Sequence, residues 1–168
     1  RYDKHAEGMV TGACGQAHED GLDFSPYDWD DDGFVEMVYV VYAGEGEATG
    51  GGAETIWPHK SQLPTKPRYG NKRVFIYACS NEVNGGNKLA GIGTICHEFS
   101  HCMGYPDVYD IEYGGNYGMG TWDLMCSGSY NGDTYCPAGY TAYEKMVAGW
   151  INPIELTENA SYSDIKTI

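Results

Sequence analysis

At 168 residues the chain is long enough for one domain with a real core. Its net charge of −14 argues against nucleic acid or an anionic membrane surface as partner, and reads first as solubility. No apolar run approaches the ~18 residues of a membrane helix, and 24 glycines predict many turns and long loops.

Residues 1–27 are polar and glycine-rich without a clear period. They are expected to be mostly loop, with at most one short helix or strand, weakly anchored by Tyr2, Met9 and Val10. The chain opens on Arg1 rather than Met, as a trimmed or processed form would. Next comes Asp28-Trp29-Asp30-Asp31-Asp32-Gly33-Phe34-Val35-Glu36. Alternating Asp28, Asp30 and Asp32, followed by the turn-forming Gly33, match the opening of a calcium loop, where hard oxygens converge on a hard cation. The closing position of an EF-hand needs glutamate and is Tyr39 here, so a full EF-hand is excluded. Glu36 could close a shorter loop, and the other reading is an acidic turn before a strand.

Residues 34–43 (FVEMVYVVYA) read as a strand buried on both faces. Residues 44–52 are a glycine-rich loop, and 54–59 a short strand ended by Pro58. His59 stands alone and is expected to be hydrogen-bonded or on the surface rather than a ligand. Pro64 and Pro67 mark 61–70 as loop, 72–80 (KRVFIYACS) is a second strand, and 81–87 has turn chemistry.

From residue 89 the period becomes helical through Leu89, Ile92, Ile95 and Phe99. This helix carries His97-Glu98-Phe99-Ser100-His101-Cys102-Met103-Gly104-Tyr105-Pro106-Asp107, the pattern H-E-x-x-H-x-x-G-x-x-D. Helical side chains turn by about 100° per residue, so His97 and His101 share a face and can grip one metal ion. Glu98 sits at the edge of that face, within reach of a metal-bound water without being a ligand. Gly104 suits a left-handed helix end, Pro106 excludes further helix, and Asp107 can return as third ligand. Glu144, on a later helix, is an open alternative for that third ligand. The bland reading is two histidines packed on an ordinary helix.

Residues 105–140 are loop-rich, a second helix fits 141–148 and ends at Gly149, and the tail 154–168 is open to a further strand. The cysteines at 14, 79, 96, 102, 126 and 136 form no C-x-x-C, which argues against a zinc ribbon or thioredoxin-type site. Cys126 and Cys136, flanking a glycine-rich loop, are the favoured pair. Cys96 and Cys102 point away from the metal face by about 100° each. No repeat or domain linker is apparent.

The 97–107 motif resembles that of the metzincin zinc peptidases, in which a methionine turn follows it. Among these the chain resembles the immune inhibitor A family of secreted bacterial metallopeptidases. The likeness is also carried by Pro106-Asp107-Val108-Tyr109-Asp110 and by Gly120-Thr121-Trp122-Asp123-Leu124-Met125-Cys126-Ser127-Gly128-Ser129. Ala142-Tyr143-Glu144-Lys145 through Gly149-Trp150, the acidic loop and Ile56-Trp57-Pro58-His59 add to it, so it spans roughly residues 23–153. The cysteines beside the two histidines are a departure from the family pattern. Residues 1–22 supply less strand and helix than the family's domain normally begins with.

The resemblance implies an α+β, metzincin-like zinc peptidase domain. Its parts are a small twisted sheet with an active-site helix, then a loop-rich C-terminal half with a methionine turn and a second helix. It implies one catalytic domain over residues 1–168, with upstream elements or a propeptide left open. It further implies a secreted or cell-surface, zinc-dependent endopeptidase hydrolysing peptide bonds in proteins through a metal-activated water, with Glu98 as general base. Zn2+ would be held by His97, His101 and Asp107, leaving a position open for water. Met125 would pack beneath the metal, Tyr109 and Asp110 would support the ligands, and Tyr130 is a candidate oxyanion stabiliser. Ca2+ at Asp28, Asp30, Asp32 and Glu36 is a candidate second ion. The partner is a protein or peptide substrate. The alternative is a non-catalytic binding or adhesion module of a secreted or surface protein, stabilised by metal and calcium, against which the intact Glu98 speaks.

Overall fold

A computed structural model describes residues 5–112 and 114–156. The polar opening stretch, expected to be mostly loop, is the 14-residue helix α1 (Ala6–Glu19). Gly8, Gly12 and Gly15 make it a weak helix by propensity. However, Ala6, Val10 and Cys14 recur one turn apart and are buried, and Val10 and Cys14 pack into the core with Phe24, Val35, Leu63 and Val74. Tertiary burial of this stripe supplies what propensity withholds. The expected anchor Tyr2 lies outside the described residues.

Both expected long strands are broken. Residues 34–43 divide into β1 (Phe34–Val35) and β2 (Val38–Glu45). Residues 59–89 contribute β3 (His59–Gln62), β4 (Arg68–Tyr69), β5 (Lys72–Val74), β6 (Ile76–Asn84) and β7 (Lys88–Leu89). The breaks send the halves into different sheets, ordered β1-β5-β4 and β2-β6-β3, with β7 also on β6. β1–β5 and β2–β6 are parallel, and β3–β6 is antiparallel. Strand β2 is an edge, and Val41 is 52% exposed, so it is not buried on both faces. Strand β3 starts after Pro58 instead of ending there, because proline lacks the N–H that a ladder needs.

Helix α2 (Ile92–Cys102) lies over β6. Its start is tied down by Gly91 N–H donating to Thr134 Oγ1 and Gly93 N–H to the Thr134 carbonyl, each at 2.8 Å. A Cβ on Gly93 would fall 1.9 Å from the Ser129 carbonyl oxygen, so only glycine lets the helix sit this close to the 3-10 turn Ser127–Tyr130. The helix ends as expected, with Gly104 left-handed at φ 96°. Helix α3 (Ala142–Val147) begins at Thr141, where Thr141 and Glu144 form a capping box, and is followed by left-handed Gly149. The result is a mixed α/β fold with small sheets and few helices.

All six cysteines are free thiols. The favoured pair does not form, because Cys126 is buried with its thiol directed at the Tyr117 carbonyl while Cys136 is exposed. Residues 154–156 form no strand, and the rest of the tail proposed for one lies outside the described residues.

Candidate active site

Helix α2 places the His97 and His101 rings 4.7 Å apart, centroid to centroid, on one face. The left-handed turn at Gly104 reverses the chain and returns Asp107 to them. Its Oδ1 stands 3.3 Å from His97 Nε2 and 3.2 Å from His101 Nε2. That oxygen is buried and takes no well-formed hydrogen bond. The outer ring nitrogens are already committed. His97 Nδ1 faces the Leu124 carbonyl at 2.9 Å, and His101 Nδ1 faces the Tyr105 carbonyl at 2.7 Å. A carbonyl only accepts, so each Nδ1 carries the proton and each Nε2 turns its lone pair inward. One carboxylate oxygen and two imidazole lone pairs thus converge without satisfying one another, and this donor set fits a zinc ion.

The electrostatics agree with that geometry. Burial would lower the His97 pKa, but Asp107 and the Leu124 carbonyl outweigh it and the net shift is upward. Asp107 is the largest influence on His101 and raises it too. Burial pushes the Asp107 carboxyl up, yet the two imidazoles prevail and hold it well below the usual carboxylate range. Protons and metal therefore compete for the same two nitrogens.

Glu98 is only 7% exposed and stands outside the three-ligand group. Burial raises its pKa against the opposing pull of His97, His101 and His59. It lines, with His97, a hollow of about 380 Å³ walled by Trp57, Pro58, Tyr109, Tyr117 and Tyr130. A buried carboxyl with a raised pKa beside an open hollow is suited to accept and return a proton. The Tyr130 phenol is shifted up by burial and then by the charges of Glu98 and Asp107, which places it in the same field.

Met125 is fully buried, and its carbonyl accepts from Val108 N–H at 3.0 Å, which ties the Asp107 return segment to the segment around Met125. Asp110, a candidate supporter of the ligands, also holds its own loop. Its carboxylate accepts from the amides of Asn116 and Glu112, and these bonds lower its pKa. Glu144, the alternative third ligand, is absent from the cluster because its carboxylate caps α3. His59 is hydrogen-bonded as expected, with Nδ1 2.6 Å from the Trp57 carbonyl and Nε2 2.9 Å from the Tyr77 hydroxyl. Leu124 and Tyr105 escaped sequence reasoning because they act through backbone carbonyls, which carry no residue signature.

The acidic loop brings Asp28, Asp30 and Glu36 within 4.8 Å of one another, but not Asp32. Asp32 instead caps the turn, with its Oδ1 accepting from Phe34 N–H. Lys72 Nζ lies 2.6 Å from Asp28 Oδ2, a cation already present beside the group.

The profile of the immune inhibitor A peptidase M6 catalytic domain matches residues 19–151. The chain is 25% identical over 183 aligned positions to immune inhibitor A of Bacillus thuringiensis subsp. alesti, an alignment covering 88% of this chain and 26% of that protein. It is 28% identical over 195 positions to the pre-pro-metalloprotease PrtV of Vibrio cholerae serotype O1 (strain M66-2), covering 94% of this chain and 21% of that one. The chain therefore spans about a quarter of the length of the curated relatives it matches.

Proposed function

The chain belongs to the immune inhibitor A peptidase M6 family, and from that premise we propose that it is the catalytic domain of a secreted, zinc-dependent endopeptidase of metzincin-like build. The observation that carries this reading is the convergence of His97 Nε2, His101 Nε2 and Asp107 Oδ1, with Glu98 buried next to them and outside the ligand set. Zinc there would supply a Lewis acid that polarises the scissile carbonyl and brings the pKa of a water toward neutrality. The chain's own residues do the rest. His97 and His101 are held in one tautomer by the Leu124 and Tyr105 carbonyls. Glu98 takes a proton from the attacking water and hands it to the leaving amine. The Tyr130 phenol, on the wall of the same hollow, donates to the oxygen that gains charge. Met125 is the packed floor of the turn that carries Leu124.

Location outside the cell is part of the proposal. One relative is named a pre-pro-metalloprotease, a name for a chain made with a leader and a pro-segment. The reading as a non-catalytic adhesion module is not favoured, since the relatives matched include a named metalloprotease and the family is a peptidase family. The test is digestion of casein by the zinc-loaded chain, with cleavage expected to stop on chelation and return with zinc. Intact casein after long incubation overturns the proposal.

A calcium ion on the acidic loop belongs to the same proposal, with Asp28, Asp30 and Glu36 as its protein ligands. What supports it is their approach to within 4.8 Å and the buried, unpartnered Glu36 Oε2. Binding must displace the Lys72 ammonium from Asp28, so affinity is expected to be modest. Saturating calcium should raise the melting temperature by about 2–4 °C for each kcal/mol of binding. An unchanged melting curve leaves the loop as an acidic turn.

A further inference from the structure

Two hollows flank the three convergent donor atoms. His97 and Glu98 line the aromatic-walled one of about 380 Å³. His101 and Asp107 line a second, of about 360 Å³, together with Gly104, Tyr105 and Lys60. Among the described residues none lines both hollows, and Lys60 is the only lysine or arginine on either.

Lys60 sits on β3, an outer strand of its sheet that packs against α2, in register with Ala78 of β6. It is half-buried. Acidic residues outnumber lysines and arginines by 24 to 10, and other cations of the chain take acidic partners. Lys72 pairs with Asp28 and Asp31, and Lys88 with Asp133. Among the described residues the Lys60 ammonium has no ion pair and no hydrogen bond. Asp107 lines the same hollow, but its Oδ1 is directed at the two imidazoles. A lysine on an edge strand often serves only to block pairing with another chain. That role calls for a solvated head group, whereas Lys60 lends its charge to a hollow beside the metal ligands. An ammonium held there without a counter-ion keeps its donors for a group that enters, and a carboxylate is the group that pairs with it best.

We propose that Lys60 is a specificity-determining residue that binds the carboxylate of a glutamate or aspartate side chain of the substrate close to the scissile bond. The three donor atoms lie within 4.8 Å of one another, and an extended peptide advances ~3.3 Å per residue. A hollow lined by two of those ligands is therefore within about two residues of the bond that is cut. The inference rests on reading the centre as a peptidase site and names the class of side chain it selects.

The probe is a set of fluorescently labelled, alanine-rich octapeptides blocked at both ends. A single glutamate is walked along them, and each peptide has a glutamine and a lysine twin. Affinity is read by anisotropy on the zinc-loaded Glu98→Gln chain, so that binding is seen apart from cleavage. At one position glutamate should bind about 10-fold more tightly than glutamine, near the lower end for a hydrogen bond to a charged group. Adding Lys60→Met, which keeps the apolar stem, should level the two. Lys60→Glu should reverse the order in favour of the lysine twin. Both variants should hold as much zinc as their parent, because Lys60 is outside the ligand group. A glutamine peptide with a free terminal carboxylate tests the other source of the same group. Equal affinity of the glutamate and glutamine twins at every position overturns the inference, as does the absence of binding by any peptide. So does a glutamate preference that survives both Lys60 variants, or a preference confined to the free terminus. A preference carried by Lys60 in a chain that cleaves no casein overturns the proposed function and leaves this inference standing. Casein cleaved by a chain without the preference does the reverse.

Discussion

Replacing Glu98 with glutamine should leave zinc bound and lower peptide hydrolysis by about 10²–10⁴-fold, the usual contribution of a positioned general base. Glutamine keeps the volume and the hydrogen-bonding edge of the side chain but cannot accept the water's proton. Metal should stay, because Glu98 is outside the group formed by His97, His101 and Asp107. Burial raises its pKa against the opposing pull of both imidazoles, and this brings it nearer the working range of a base that must also return the proton. Elemental analysis and kcat/KM on one casein-derived peptide, measured on the same preparation, separate metal loss from loss of chemistry. Turnover equal to that of the wild type would rule out Glu98 as the base.

Asp107→Ala should have the opposite signature, with zinc lost first and hydrolysis following. It removes one of three convergent donor atoms and leaves two imidazoles one helical turn apart. The expected fall in affinity exceeds the ~10–100-fold that follows loss of a supporting group behind a ligand. Glu144→Gln is the control. Its side chain is committed to Thr141, so the zinc site should stay occupied. If zinc stayed with Asp107→Ala and left with Glu144→Gln, the third ligand would be the glutamate of the later helix.

Much of the centre could be read from the sequence because its geometry is local. The i, i+4 spacing of His97 and His101 needs only a helix to become a shared face, and the helix was visible in Ile92, Ile95 and Phe99, although Leu89, read as its start, falls in β7 because its backbone pairs with β6. Gly104 marked the turn, and its left-handed φ of 96° is what glycine permits at low cost. The α3 boundaries followed from Thr141 and Gly149 for the same reason. The errors fell where long-range packing decides. α1 carries three glycines and became helical through burial of Val10 and Cys14. The strand at 34–43 looked buried on both faces, but an apolar run does not reveal that it lies at a sheet edge. Asp32 alternated with Asp28 and Asp30 in sequence, and the turn used it as a cap.

The sequence by itself determined the ligand types, their helical spacing and the residue that turns the chain back toward them, since these depend on bonds within about a dozen residues. Tertiary structure alone decided which nitrogen of each imidazole faces inward. That choice belongs to the carbonyls of Leu124 and Tyr105, and a backbone carbonyl looks the same in every residue. It also decided the fate of Glu144, which the sequence offered as a metal ligand. The fold buries it at the start of α3, and a carboxylate already satisfied by the Thr141 cap has no reason to leave for a metal.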